Sequence, residues 1–273
     1  MIISNKLREY TRRITLGTIA NLFVIIGVLA GVELLDGCKD NPIVDPPPTK
    51  VKATVSFTSL FDGAPFKVIS ASIGEVQTAG GNAVRFSRIK FLLSNVELLK
   101  ENGTSQKVEG YGLIDCSKDT GNYVSASVPA GSYSGIRFLV GLDSTVNFGN
   151  PNQWAVTHPL SPARNKMYWD WQLGYIFMVL EGDYQKVLGG WDGFSYHIAL
   201  LENGTTITIN KPFTVGANGA TIPVGFEVNE LFKNPNTFFI DGSNNFDHST
   251  PGSPIIRALT QNMKDAFTIG TVR

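Results

Sequence analysis

From Gly193 to Leu201 the chain alternates. Phe194, Tyr196, Ile198 and Leu200 fall on one side of an extended backbone, and Ser195, His197, Ala199 and Leu201 fall on the other. A period of two predicts a strand with one face against a core. Comparable runs predict strands over 52–61, 84–99, 110–115, 135–142, 174–180, 205–210 and 222–228. Asn203-Gly204, between two of these runs, is a two-residue hairpin signal. The Glu-Asn-Gly-Thr tetrad recurs at Glu101–Thr104, but its flanks differ, so the echo is turn chemistry and not a repeat. Two short helices are expected. Asn229 is placed to cap Glu230–Phe232; near the end, Ser253 and Pro254 read as N-cap and first helical residue, with Ile255, Leu259, Met263 and Phe267 four apart on one face. So many short strands and so little helix predict an all-β chain, an antiparallel, immunoglobulin-like β-sandwich with long inserted loops.

The first fifty residues follow another pattern. Lys6, Arg8, Arg12 and Arg13 precede an uncharged apolar run from Ile14 to Val32, and Leu35-Asp36-Gly37-Cys38 resembles a lipobox. This predicts a lipoprotein signal over 1–37, lipidation of Cys38, and an outer-membrane protein facing the periplasm or the exterior. Lys39-Asp40 resembles a short acidic export tag of surface lipoproteins. Asp45-Pro46-Pro47-Pro48 makes residues 38–50 a stiff tether, and one folded domain is expected over 51–273. Cys116 is left as a lone thiol, expected to be buried.

Hydrophobic residues are 42% and charged residues 17% of the chain, enough apolar material for a large core. Lys+Arg and Asp+Glu both number 23, so no global field attracts nucleic acid. No Gly-rich phosphate loop opens a helix, no Gly-x-Ser-x-Gly elbow occurs, and the histidines lack metalloprotease spacing. The expectation is a binding protein and not an enzyme.

Between the runs ending at Leu142 and starting at Gly174 lie about thirty residues of weak periodicity, and connections that long are usually functional. They hold Trp154, Trp169 and Trp171, three of the four tryptophans, with His158, Met167 and Tyr168. Phe86-Ser-Arg-Ile-Lys-Phe-Leu-Leu-Ser-Asn-Val96, Val128-Pro-Ala-Gly-Ser-Tyr133 and Gly141-Leu-Asp143 resemble the first half of the MbnP-like family. His158-Pro-Leu-Ser161, Met167-Tyr-Trp-Asp-Trp-Gln172, Gly174-Tyr-Ile-Phe177 and Phe194-Ser-Tyr-His197 continue that likeness through the centre of the chain. The resemblance implies an extracytoplasmic copper-binding lipoprotein. In that family the ion is held by imidazoles and by kynurenine, an oxidised tryptophan whose opened ring supplies an aniline nitrogen. The resemblance also implies a di-haem peroxidase-like partner, MbnH, as the oxidant.

Copper favours imidazole and sulfur donors, and only His158, His197 and His248 offer the first. His197 lies on the strand face away from Phe194, Tyr196 and Ile198, and His158 is held extended by Pro159. These two are expected to share the ion, with His248, in a polar loop, as the third candidate. Trp169 and Trp171, two apart, are the first candidates for oxidation, and Trp154 and Trp191 are remoter ones. Asp170 and Gln172 alternate with the tryptophans and could orient an imidazole, while Met167 is either a thioether donor or core filling. A second functional class stays open, a glycan-binding surface lipoprotein stacking sugars on exposed aromatics.

Overall fold

The computed structural model describes residues 49–69, 74–170 and 172–273, so the signal, Cys38 and Trp171 lie outside the described residues. The principal strands are β1 (Lys50–Phe61), β2 (Ala83–Leu99), β3 (Tyr123–Pro129), β4 (Gly135–Val140), β5 (Gly174–Gln185), β6 (Trp191–Ala199), β7 (Thr205–Ile209), β8 (Ala220–Glu227) and β9 (Phe267–Ile269). They form two sheets. In the first, β1 lies between β8 and β3, and β9 extends the edge beyond β8; in the second the order is β7-β4-β2-β5-β6, followed by the short strand Phe246–Asp247. The architecture is the expected all-β sandwich, with one difference in direction: β1 pairs in parallel with β8, and β6 with Phe246–Asp247.

Phenylalanines weld the sheets together. Phe57, Phe226 and Phe267 from the first meet Phe91 and Phe138 from the second, with ring centroids 4.9–6.3 Å apart, mostly edge to face. Each buried ring contributes about 1.5–3 kcal/mol by leaving water. Cys116 is buried in the same core and its thiol is pushed up to about 12 by burial, as expected for an inert, free cysteine.

The long segment between Val140 and Gly174 covers the outer face of the second sheet. Leu142, Leu160 and Met167 from it pack on Leu92 of β2, on Leu113 and on Tyr175, Phe177 and Val179 of β5, making a second apolar core. Gly174–Leu180 is therefore buried on both faces, which explains why that run lacks clean alternation.

Three local expectations are corrected. Asn203-Gly204 does not close a hairpin between β6 and β7: Leu200 takes a positive φ of 67°, Leu201–Asn203 forms a 3-10 turn, and β7 pairs with β4 at the opposite edge. The flank of β6 is instead occupied by Phe246–Asp247. The Val228–Phe232 turn is capped by Glu227, not Asn229, whose side chain accepts from the amide of Ala79 and donates to Asp62. Ser253 does cap the terminal helix, Pro254–Asn262, by accepting from the amide of Ile256, but Phe267 leaves that helical stripe to form β9.

Candidate metal centre

Pleating decides which side chains reach the outer face of the second sheet. On β6, Phe194, Tyr196 and Ile198 join the inter-sheet core, so Ser195 and His197 point the other way. On β5 the same outer face carries Tyr175, Phe177 and Val179 and then, two residues on, Glu181. Register completes the row: Glu181 lies opposite Arg88 of β2 on one side and Ser195 of β6 on the other, and Val179 opposite His197. The apolar lid ends there, and the row beyond it is polar.

His248 joins the row from the loop after Phe246–Asp247. Ser249, with φ of 58°, is buried; its hydroxyl donates to the carbonyl of His197 and accepts from the amide of Ala199. That pair of hydrogen bonds to β6 fixes the loop so that the His248 ring lies on the His197 ring, with centroids 3.9 Å apart and planes 7° apart. Phe246 packs against His248 with ring centroids 4.2 Å apart. Trp169 leans over both imidazoles, its ring centroid 6.1 Å from that of His197 and 6.0 Å from that of His248.

The polar atoms converge. His197 Nε2 is 2.6 Å from Glu181 Oε1, and the hydroxyl of Ser195 stands 3.3 Å from His197 Nε2 and 3.2 Å from His248 Nε2. A carboxylate only accepts, so the hydrogen of the short bond sits on Nε2. His197 Nδ1 is then the other ring nitrogen, buried and, among the described residues, without a hydrogen-bond partner. The bond from His197 holds the Glu181 carboxyl below the usual carboxylate range against the opposing effect of burial, with help from Arg88. Burial first, and the neighbouring His197 second, push the His248 imidazole below its ordinary value, favouring its neutral, metal-ready form.

The structure thus brings His197 together with His248, not with His158. His158 stacks on Trp154 at 4.2 Å and 8°, meets Tyr111 edge-on, and accepts the amide hydrogen of Leu160 at Nδ1; its ring contacts and hydrogen bonds do not include the other histidines. Pro159 does hold it in a loop, but that loop folds down onto the second apolar core. Met167 is fully buried in that core, as filling. Asp170 commits Oδ1 to the amides of Gln172 and Leu173, closing a turn, and Gln172 is exposed. Neither residue orients an imidazole; Glu181 does. Glu181, Ser195 and Arg88 are not among the site residues the sequence singles out; period two places Ser195 on the face of His197, whereas Glu181 and Arg88 join the row only through strand register.

Two imidazoles, one depressed towards neutrality and one with an unpartnered buried nitrogen, suit a borderline-to-soft cation. Lone pairs lie in the ring planes, and these two planes are parallel, so sharing one ion requires a ring to turn about its Cβ–Cγ bond. Among the described residues, no group of three or more His, Cys, Asp or Glu side chains is arranged to hold a metal ion.

Residues 50–250 match the family model MbnP. Among solved structures the chain is similar to MbnP from Methylosinus trichosporium, 15% identical, covering 81% of this chain and 99% of that chain with a TM-score of 0.53. At that identity the likeness speaks for the fold. A search of curated proteins found no significant match.

Proposed function

Since the chain belongs to the MbnP family, we propose that it is an extracytoplasmic copper-binding protein, without catalysis, that holds the ion with His197 and His248 beside Trp169. The observation that carries the reading is the stacked imidazole pair, steered by one carboxylate and one hydroxyl under an indole. Copper binds the neutral imidazole nitrogens; Glu181 fixes the ring of His197 as an outer carboxylate commonly does for a metal-ligating histidine. Oxidation of Trp169 to kynurenine by an external di-haem peroxidase-like partner would add an aniline nitrogen on the side of the pair that the indole now covers. Trp171 stays in the reading as the second tryptophan open to that oxidation. Lipidation at Cys38 would keep the protein on the outer membrane.

The test is copper titration of the full mature chain against a competing chromogenic chelator, beside the His197→Ala/His248→Ala variant. The reading expects one ion per chain, lost in the double variant. Equal copper uptake by both proteins, or none by protein isolated from its native host, sinks it. Peptide mass measurement on native protein tests Trp169 and Trp171 directly. The glycan-binding alternative predicts that the double variant keeps its ligand.

A further inference from the structure

Arg88 makes two contacts in two different directions. Its Nη2 donates to the carbonyl of Lys166 at 2.6 Å, and its Nη1 stands 3.5 Å from Glu181 Oε1, the oxygen that holds His197. Lys166 is no ordinary loop residue: it sits in the left-handed region at φ of 56°, closing the short helix Pro162–Asn165, and it lies three residues before Trp169. Beyond Met167 the pairing with β5 is irregular. Tyr168–Asp170 pairs with β5 only at Tyr168 and Asp170, with an irregularity between them where Trp169 sits. The segment is held by Met167, which is buried, donates its amide to Asn165 Oδ1 at 2.7 Å and accepts the Ile176 amide at 2.8 Å, and by the Arg88–Lys166 bond at its start.

We infer that Arg88 is a positioning residue, a fork that ties the segment carrying Trp169 to the carboxylate that orients His197, so that indole and imidazoles are held as one unit. Only a guanidinium suits this. It presents separate N–H groups in a fixed plane, one for the carbonyl and one for the carboxylate, whereas an ammonium is a point charge on a flexible stem. The fork also gives Glu181 a counter-charge, so that the carboxylate does not stand alone beneath the pair. The inference deepens the copper reading and rests on it, but the tie itself exists without metal.

The experiment uses the full chain with Arg88→Lys, Arg88→Met and Trp169→Phe. Arg88 is partly exposed and outside both apolar cores, so the variants should fold, and thermal unfolding checks this. Amide hydrogen exchange is followed over residues 166–170 in metal-free protein, and copper affinity and copper-induced tryptophan quenching are read in parallel. Trp169→Phe defines the share of quenching that belongs to Trp169. Both Arg88 variants are expected to exchange faster over 166–170. They should also bind copper roughly 10–100-fold more weakly, the usual scale for outer residues of a metal site, and lose most of the Trp169 quenching. If Arg88→Lys matches the wild-type protein in exchange and in quenching, charge alone suffices and the fork is overturned; unchanged exchange in both variants overturns it as well. Faster exchange in the variants of a chain that takes up no copper would uphold the tie while removing the copper reading.

Discussion

Two clusters in this molecule are built from the same residue types, and they differ in what is left unsatisfied. At Trp154 the indole lies flat on His158, Tyr111 closes the edge, and the Leu160 amide satisfies Nδ1 of the imidazole. At Trp169 the indole leans over two imidazoles that lie flat on each other, with a carboxylate and a hydroxyl at their Nε2 atoms and a buried Nδ1 without a partner. The first has the marks of packing: filled volume, an imidazole nitrogen paired with a backbone amide and no carboxylate at the ring; what it leaves unpartnered among the described residues is the Trp154 indole N–H, a donor that cannot ligate a cation. The second keeps two nitrogen donors together at the expense of good hydrogen bonding, an arrangement that stability alone does not explain. Histidine and tryptophan in proximity are therefore weak signals by themselves, and the hydrogen-bond account separates the two.

The largest effect should come from attacking the clusters in turn. His197→Ala and His248→Ala should each weaken copper binding by at least about a hundredfold, beyond the roughly 10–100-fold typical of outer residues. His158→Ala should leave copper affinity within about threefold, because its ring touches Trp154 and Tyr111 and not the pair. Competition titrations of the three variants decide it; a His158 variant as damaged as the other two would erase the distinction between the clusters.

Glu181→Gln comes next. The amide keeps the shape but loses the charge, so His197 is no longer held by a charge-assisted bond and Arg88 loses its counter-charge. Copper affinity should fall about tenfold, while Asp170→Asn, which alters only a surface turn, should change it little. An affinity that falls for Asp170→Asn and not for Glu181→Gln would return the orienting role to the long segment.

How much of this could be read beforehand depended on whether the information was local. The alternation around Phe194, Tyr196 and Ile198 placed His197 on the outer face correctly, because pleat parity is a property of a few adjacent residues. The run at 174–180 announced a strand, but not that the long segment before it would cover its outer face while its inner face joined the inter-sheet core. The pairing of His248 with His197 was illegible. It arises from the parallel strand Phe246–Asp247 and from Ser249 bonding back to β6, contacts about fifty positions apart. The failed hairpin at Asn203-Gly204 has the same root. Turn residues specify a local bend, and which edge β7 then joins is set by packing across the whole sheet.

The clusters should also differ in stability, by a smaller margin. His158→Ala removes a stacked aromatic contact and leaves the Leu160 amide without its acceptor. A loss of roughly 1–2 kcal/mol in denaturant unfolding is expected. His248→Ala should cost less in the metal-free protein, since that ring has a shared hydroxyl at Nε2 and lies partly exposed. Equal losses would mean that the imidazole pair is packing after all.

The finest distinction is in pH. Burial lowers the His158 imidazole below its ordinary value of 6.5, and Arg164 adds to this; burial and His197 lower His248 in the same sense. A depressed histidine binds its proton more readily in the unfolded chain, so its contribution to stability is present above about 6.5 and is lost as pH falls from there towards the folded value. Glu181, also lowered, contributes in a separate window: its share is present above 4.5, the unfolded value, and is lost as pH falls through the folded one. Within the histidine window the unfolding free energy of metal-free protein should decline with falling pH, and the decline should be shallower in His158→Phe, whose ring still stacks on Trp154 but does not titrate. The slope left in that variant belongs to His248, and copper should act on it alone. Protons and the ion compete for the His248 nitrogen, so saturating copper steepens the acid decline of the His158→Phe protein. In His248→Phe, where the remaining titrating imidazole of the two is buried against Trp154, copper should leave the slope unchanged. A copper effect on the slope of that second variant would place His158 among the ligands.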